Sequence, residues 1–241
     1  MFKEPVNLFL LHHAGGSRYA YQPFTGLFPP GMKVNLLELP GRGARMNEPL
    51  VEDIHLLVED VYRKISPALD APHVFMGHSM GSVLAYLLTR KSITDNRRLP
   101  AHLFLSGRTG PYYFEDSALR RSSLPRKEFA AVLRDLGGVP AEVLDDDQAM
   151  DFFEPVIRSD FKVLETYSYT PAPPLDIPVT VLLGKEDHSA HKEGVPWQDI
   201  TALPVDVRYF DGGHFFLMDK AAEIARLVAT QTLNSFQQQI A

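Results

Sequence analysis

Pro72-His73-Val74-Phe75-Met76-Gly77-His78-Ser79-Met80-Gly81-Ser82-Val83-Leu84-Ala85-Tyr86-Leu87-Leu88-Thr89 is the stretch on which the fold turns. An apolar run, Pro72 to Met76, leads into Gly77-His78-Ser79-Met80-Gly81, and a helix-forming run, Val83 to Thr89, leads out. The pentapeptide matches G-x-S-x-G, in which a serine sits on a sharp turn between a strand and a helix. The glycines are needed for steric reasons. The turn strains the serine backbone, and side chains on either flank would strike the neighbouring strand and helix. Ser79 is the candidate nucleophile.

Working outward, short runs rich in Val, Ile, Leu and Phe predict strands at Val6 to Leu11, Val34 to Leu39, His73 to Met76, His102 to Leu105, Val179 to Leu183 and Val205 to Phe210. They are continuous rather than alternating, as strands of a parallel sheet covered on both faces should be. Leu50, Ile54, Leu57, Val58, Val61 and Ile65 lie at helical spacing, and Ser79 to Lys91 and Asp219 to Phe236 also predict helices. Strands alternating with helices predict a doubly wound α/β fold in a single domain spanning residues 1–241.

About 70 residues separate the strand ending near Leu105 from the one beginning near Val179, far more than a crossover helix requires. An insertion of roughly 110–170 is expected there, with helical patterns over Arg126 to Leu136 and Asp145 to Tyr167. The run Asp145-Asp146-Asp147 suits a helix N-terminus, and Phe129, Phe152, Phe153, Phe161 and Tyr167 supply an apolar side. Such an insertion is either a subdomain packing its own small core or a lid over an active site.

The composition narrows the function classes. Of 241 residues, 45% are hydrophobic and 22% charged, an ordinary globular balance. A net charge of -6 disfavours nucleic-acid phosphates. Without cysteine there is no disulfide, no thiolate metal site and no cysteine nucleophile. No run approaches the length of apolar sequence a membrane span needs, and the N-terminus lacks the pattern of a signal peptide, so a soluble, cytoplasmic chain is expected.

A serine hydroxyl needs a base, and the base an orienting acid. In this kind of fold the chain order is Ser, then Asp or Glu, then His. His214 follows the last strand in the glycine-rich turn Asp211-Gly212-Gly213-His214, where a loop holds an imidazole over the sheet's carboxyl edge. His102 lies in a strand and reads as a packed histidine. Asp187, just past the strand Val179 to Leu183, is the candidate acid, with Glu186 and Asp211 as rivals. His188 and His191 beside Asp187 resemble a metal pair, but no further ligand cluster supports one. For the oxyanion, the amide of Met80 after the nucleophile and that of Ala14, in His12-His13-Ala14-Gly15-Gly16 after the first strand, are the expected donors. The glycines there match neither G-x-G-x-x-G nor a P-loop, so a nucleotide site is not expected.

Taken together, Leu11-His12-His13-Ala14-Gly15-Gly16-Ser17, Glu38-Leu39-Pro40-Gly41-Arg42-Gly43-Ala44-Arg45, Gly77-His78-Ser79-Met80-Gly81, Leu105-Ser106-Gly107-Arg108, Asp187 and Gly212-Gly213-His214-Phe215-Phe216-Leu217 resemble the type II thioesterases, the stand-alone editing enzymes of nonribosomal peptide and polyketide synthases. The resemblance runs from about residue 6 to about residue 220. It implies an α/β-hydrolase fold with a helical lid, and hydrolysis of acyl or aminoacyl groups from the phosphopantetheine arm of an acyl or peptidyl carrier protein. It assigns Ser79, Asp187 and His214 as the triad and the Met80 and Ala14 amides as the oxyanion hole. No cofactor, metal, nucleic acid or membrane is implied, and a monomer is expected. A medium-chain fatty acyl thioesterase would share every motif, and a non-catalytic binding module of the same fold is the alternative from another class. Arg120, Arg121, Arg126 and Lys127 cluster positive charge at the start of the insertion and form a candidate docking edge for an acidic carrier protein.

Overall fold

The computed structural model describes residues 2, 4–112, 120–189 and 195–238. Its core is a six-stranded sheet of β1 (Val6–Leu11), β2 (Met32–Leu36), β3 (His73–His78), β4 (Leu103–Ser106), β5 (Val179–Gly184) and β6 (Asp206–Phe210), in the order β2-β1-β3-β4-β5-β6. Every pairing is parallel. The chain steps from β1 to β2 on one side and then crosses to β3 on the other, so the connections reverse direction between β1 and β3. Open parallel sheets form ligand clefts at the carboxyl ends of strands flanking such a switch point.

Alternation along each strand divides the core into two layers. Phe9, Leu11, Phe75, Leu103, Leu105, Val179, Val181 and Leu183 pack on one face with Ile54, Leu57, Val58 and Val61 of α1 (Ile54–Ile65) and Val83, Leu84 and Leu88 of α2 (Met80–Thr94). Leu8, Leu10, Val74, Met76, Phe104 and Leu182 pack on the other with Ile224, Ala225 and Val228 of α7 (Ala221–Gln238). This two-sided burial is why the inner strands are nearly continuous in apolar residues, whereas the edge strands β2 and β6 carry Lys33, Asn35, Asp206 and Arg208. α1 starts where Asp53 accepts hydrogen bonds from the amides of His55 (2.8 Å) and Leu56 (2.9 Å), a side-chain cap for orphan donors.

The insertion lies between β4 and β5 and carries α3 (Arg126–Leu136), α4 (Ala141–Leu144) and α5 (Asp147–Thr166). Phe129, Leu133, Leu144, Met150, Ile157 and Phe161 form its own small core. Farther along α5, Val163, Leu164 and then Tyr167 join the core beneath the sheet. Phe152 and Phe153 depart from expectation. They are 57% and 43% exposed and pack edge to face against each other, because the buried stripe of α5 runs through Met150, Ile157 and Phe161 and leaves 152 and 153 off it.

Element ends also differ from the pattern. α2 begins at Met80 rather than Ser79, whose backbone is not helical. The C-terminal helix is split, with α6 (Phe216–Asp219) preceding α7. β2 spans Met32–Leu36 instead of reaching Leu39. Among the described residues no helix is long and apolar enough to cross a membrane.

Candidate active site

Strand register brings the motif loops to one edge of the sheet. Leu11 pairs with Gly77, His78 with Ser106, Ser106 with Leu182, and Gly184 with Phe210. The loops after β1, β3, β4, β5 and β6 therefore leave side by side. Ser79, Ala14, Gly107, His188, Ser189, His214 and Phe215 line one cavity of about 280 Å³ there.

Ser79 has φ 55° and ψ -114°, the left-handed side of the map, which is costly for a residue with a Cβ. Surrounding contacts hold it. Its amide donates to the Ser106 carbonyl at 2.7 Å. The buried Ser82 hydroxyl lies 2.9 Å from the carbonyls of both Gly77 and Ser106, and accepts from the Ser106 amide at 3.0 Å. A Cβ on Gly77 would collide with the Gly81 carbonyl, and one on Gly81 with the Leu11 carbonyl. The strand–turn–helix packing thus demands both glycines. Met80 opens α2, so its amide is one of those that an α-helix leaves without an internal acceptor.

His214 and Asp187 meet: the ring Nδ1 donates to Asp187 Oδ2 at 2.7 Å, which leaves Nε2 as the basic nitrogen. Asp187 is buried, and burial alone would discourage its ionisation. Hydrogen bonds from His214 and Ser189 overcome that and hold the carboxyl below its usual range. The Ser189 hydroxyl donates to Asp187 Oδ1 at 2.6 Å and lies 3.2 Å from His214 Nδ1, and the Ser189 amide donates to the same Oδ1 at 3.0 Å. Ser189 is thus a fourth member that the motifs do not flag. Its signal is the Asp-x-Ser spacing of an Asx-turn.

The rivals of Asp187 have other partners. Glu186 accepts from the Gly212 amide, bracing the loop that carries His214, and Asp211 pairs with Lys185 at 2.5 Å on the surface. His102 is buried, with its two ring nitrogens 2.9 Å from Ser235 Oγ and 2.8 Å from Thr180 Oγ1, and it stacks on Phe104. His188 is exposed, and His191 lies outside the described residues. No group of three His, Asp or Glu side chains is placed to hold a metal among the described residues.

Two further histidines sit against His214. The His78 ring centroid is 5.0 Å from that of His214 and 6.0 Å from that of His13. Burial first, then repulsion from the other imidazoles, pushes His13 down to about 3 and His78 well below its ordinary value, so both are neutral. Around His214 they place uncharged rings rather than competing cations.

The docking arginines divide. Arg120 is exposed. Arg121 lines the cavity, with its guanidinium 5.7 Å from the centre of the Phe161 ring. Arg126 bridges α3 to α5 through Asp151 (2.6 Å), Glu154 (2.6 Å) and Asp147 (3.8 Å).

Residues 6–232 match the model of the "Thioesterase domain" family. The gramicidin S biosynthesis protein GrsT of Aneurinibacillus migulanus is 32% identical over 94% of this chain and 88% of its own length. The medium-chain S-acyl fatty acid synthase thioesterase of Homo sapiens is 31% identical over less of each, 80% and 73%. ClbQ, from the colibactin NRPS/PKS pathway, superimposes with a TM-score of 0.90 at 25% identity, covering 97% of this chain and 99% of its own. Other matched structures are type II thioesterases of the borrelidin and yersiniabactin pathways. The chain belongs to the thioesterase domain family, as an α/β-hydrolase-fold relative of the type II thioesterases of nonribosomal peptide and polyketide pathways.

Proposed function

We propose that the chain hydrolyses acyl or aminoacyl thioesters from the phosphopantetheine arm of an acyl or peptidyl carrier protein, using Ser79, His214 and Asp187. The observation that carries this reading is the Asp187–His214 hydrogen bond in the cavity that also holds the strained Ser79. Ser79 Oγ bonds to the thioester carbon while His214 Nε2 takes its proton, and the carbonyl electrons move onto oxygen. The Met80 and Ala14 amides receive that charge. The oxyanion collapses, the carbon–sulfur bond breaks, and the proton on His214 goes to the departing thiolate. Water then adds to the acyl-serine with His214 as base, releasing the carboxylic acid and restoring the Ser79 hydroxyl. Asp187 keeps the imidazole in the tautomer the sequence of steps needs. No cofactor enters.

The insertion supplies the acyl-facing wall of the cavity through Leu133, Leu136, Val139, Ile157, Phe161 and Leu164, acting as a lid with its own core. Apolar lining of this kind suits the acyl chain rather than the polar arm. Arg120 and its neighbours form the edge that meets the carrier protein. A fatty acid synthase partner is the second reading, and the fuller coverage by the gramicidin S relative than by the medium-chain enzyme favours the first. Ser79→Ala is expected to lower turnover by several orders of magnitude and to abolish covalent labelling by a fluorophosphonate, with Tm nearly unchanged. Retention of more than about a tenth of the activity would refute the nucleophile. Mass spectrometry of carrier proteins loaded with short, aminoacyl and medium-chain groups then distinguishes editing from chain release.

A further inference from the structure

The oxyanion loop, residues 12–16, has few backbone bonds of its own. Among the described residues it makes one within itself, from the Gly16 amide to the His13 carbonyl at 3.0 Å. That carbonyl also lies 2.9 Å from His12 Nδ1. It belongs to the same peptide plane as the Ala14 N–H, and in a trans peptide the two point opposite ways, so fixing the carbonyl aims the amide. Among the described residues the Ala14 amide donates to no protein acceptor.

The next peptide is held from another part of the chain. The Gly15 amide donates to Asp160 Oδ2 at 2.7 Å. Asp160, fully buried on α5, is in turn gripped by both terminal nitrogens of Arg42, through Oδ2 and, at 2.8 Å, Oδ1. Arg42 closes the circuit by donating to the Gly16 carbonyl at 3.3 Å, while its Nε donates to the Pro40 carbonyl at 3.3 Å. One turn earlier on α5, Ile157 fills the space beside Gly15, where a Cβ would lie 2.7 Å from Ile157 Cγ1. Gly15 itself has φ 75°, which a side chain disfavours.

We infer that Arg42 and Asp160 are positioning residues for the oxyanion hole: the buried pair clamps the Ala14–Gly15 and Gly16–Ser17 peptides, at either end of the Gly15-Gly16 pair, and so holds the Ala14 amide toward Ser79. α5 is then more than a cover. Its Asp160 turn is part of the frame of the site, and motion of the insertion there would misaim the donor. This rests on the assignment of Ala14 as a donor in the proposed function.

The test uses Asp160→Asn, which keeps an acceptor but discharges it, and Arg42→Lys, which keeps the buried charge balance but loses the two-pronged grip. Removing a whole oxyanion donor costs about 100- to 1,000-fold in kcat, so misaiming one is expected to cost about 10- to 100-fold. For a soluble N-acetylcysteamine thioester, KM should stay within about twofold. Inhibition by an alkyl boronic acid, whose adduct with Ser79 places an oxygen in the hole, should weaken in proportion to kcat/KM. Wild-type kcat and boronate affinity in folded Arg42→Lys would overturn the positioning role. So would a kcat loss with boronate affinity intact. Fluorophosphonate labelling that persists in Ser79→Ala would instead overturn the proposed triad, and this inference with it.

Discussion

At the scale of single residues the informative one is Ser189. Asp187 Oδ2 is taken by the imidazole, and Oδ1 by the Ser189 hydroxyl and amide. The carboxylate is therefore ionised and oriented at once. Hydrogen bonds to charged groups contribute about 1.5–3 kcal/mol. Ser189 stands at the solvent edge, so Ser189→Ala is expected to lower kcat by the smaller end of that, about 10-fold. Asp187 lies below its ordinary range partly through this donor, and an acid with a depressed value stays ionised further down in pH. Losing the donor lets it rise, so the lowest-pH edge of the kcat/KM profile, where the Asp187 carboxyl itself takes a proton, should move to higher pH. Ser189→Thr, which keeps the hydroxyl, should restore both. An unaltered rate and profile in Ser189→Ala would reduce the residue to a turn former.

At the scale of elements, the insertion presents two different positive charges. Arg120 is exposed at its start, whereas Arg126 ties α3 to α5 through three carboxylates, one of them on the buried Glu154. Reversing Arg126 would set like charge against Glu154 and loosen the two helices. Arg120 and Lys127 are exposed, and at the rim of the proposed docking edge their charge would act on encounter rate and be screened by salt. The double variant Arg120→Glu/Lys127→Glu is expected to lose several-fold in kcat/KM for an acyl-carrier protein at low salt, with the loss fading as salt rises and the soluble thioester unaffected. Arg126→Glu should instead lower Tm and impair both substrates. Equal behaviour of an acyl-carrier protein and the soluble thioester in the rim variant would remove Arg120 from the docking edge.

For the whole molecule, the buried histidines dominate the response to acid. Burial is the first cause in each case, pushing His12, His13 and His102 down to about 3 and His73 to about 4, with His78 well below the ordinary value. Each is neutral when folded and takes a proton in the unfolded chain below about pH 6.5. The unfolded state then binds more protons, so stability is full above that pH and is lost as pH falls toward the folded values. Each group contributes about 1.4 kcal/mol per pH unit at most. Denaturant unfolding at pH 7.5, 6 and 5 should show stability dropping steeply below 6. His102→Gln removes one such group far from the active site while keeping polar atoms for Ser235 and Thr180. Its penalty relative to wild type should shrink as pH falls, and a constant penalty would contradict the account.

What the amino-acid order determined by itself is whatever depends on near neighbours. The strand runs and the glycines around Ser79 are readable because steric crowding at the turn and burial on the sheet faces act through adjacent residues. The same holds for the helices over Arg126–Leu136 and Ile54–Ile65, whose apolar spacing is local. Only the tertiary structure decided the rest. Arg42 and Asp160 are 118 positions apart, and nothing in either neighbourhood names the other. Their pairing follows from where α5 crosses the loop after β1. Ser189 reaches His214 only because β5 and β6 are adjacent in register. Phe152 and Phe153 are apolar by composition and exposed by rotation, since which side of a helix is buried is set by what it packs against. Local sterics can be read from a string, whereas the partner of a buried charge is chosen by the packing of distant elements.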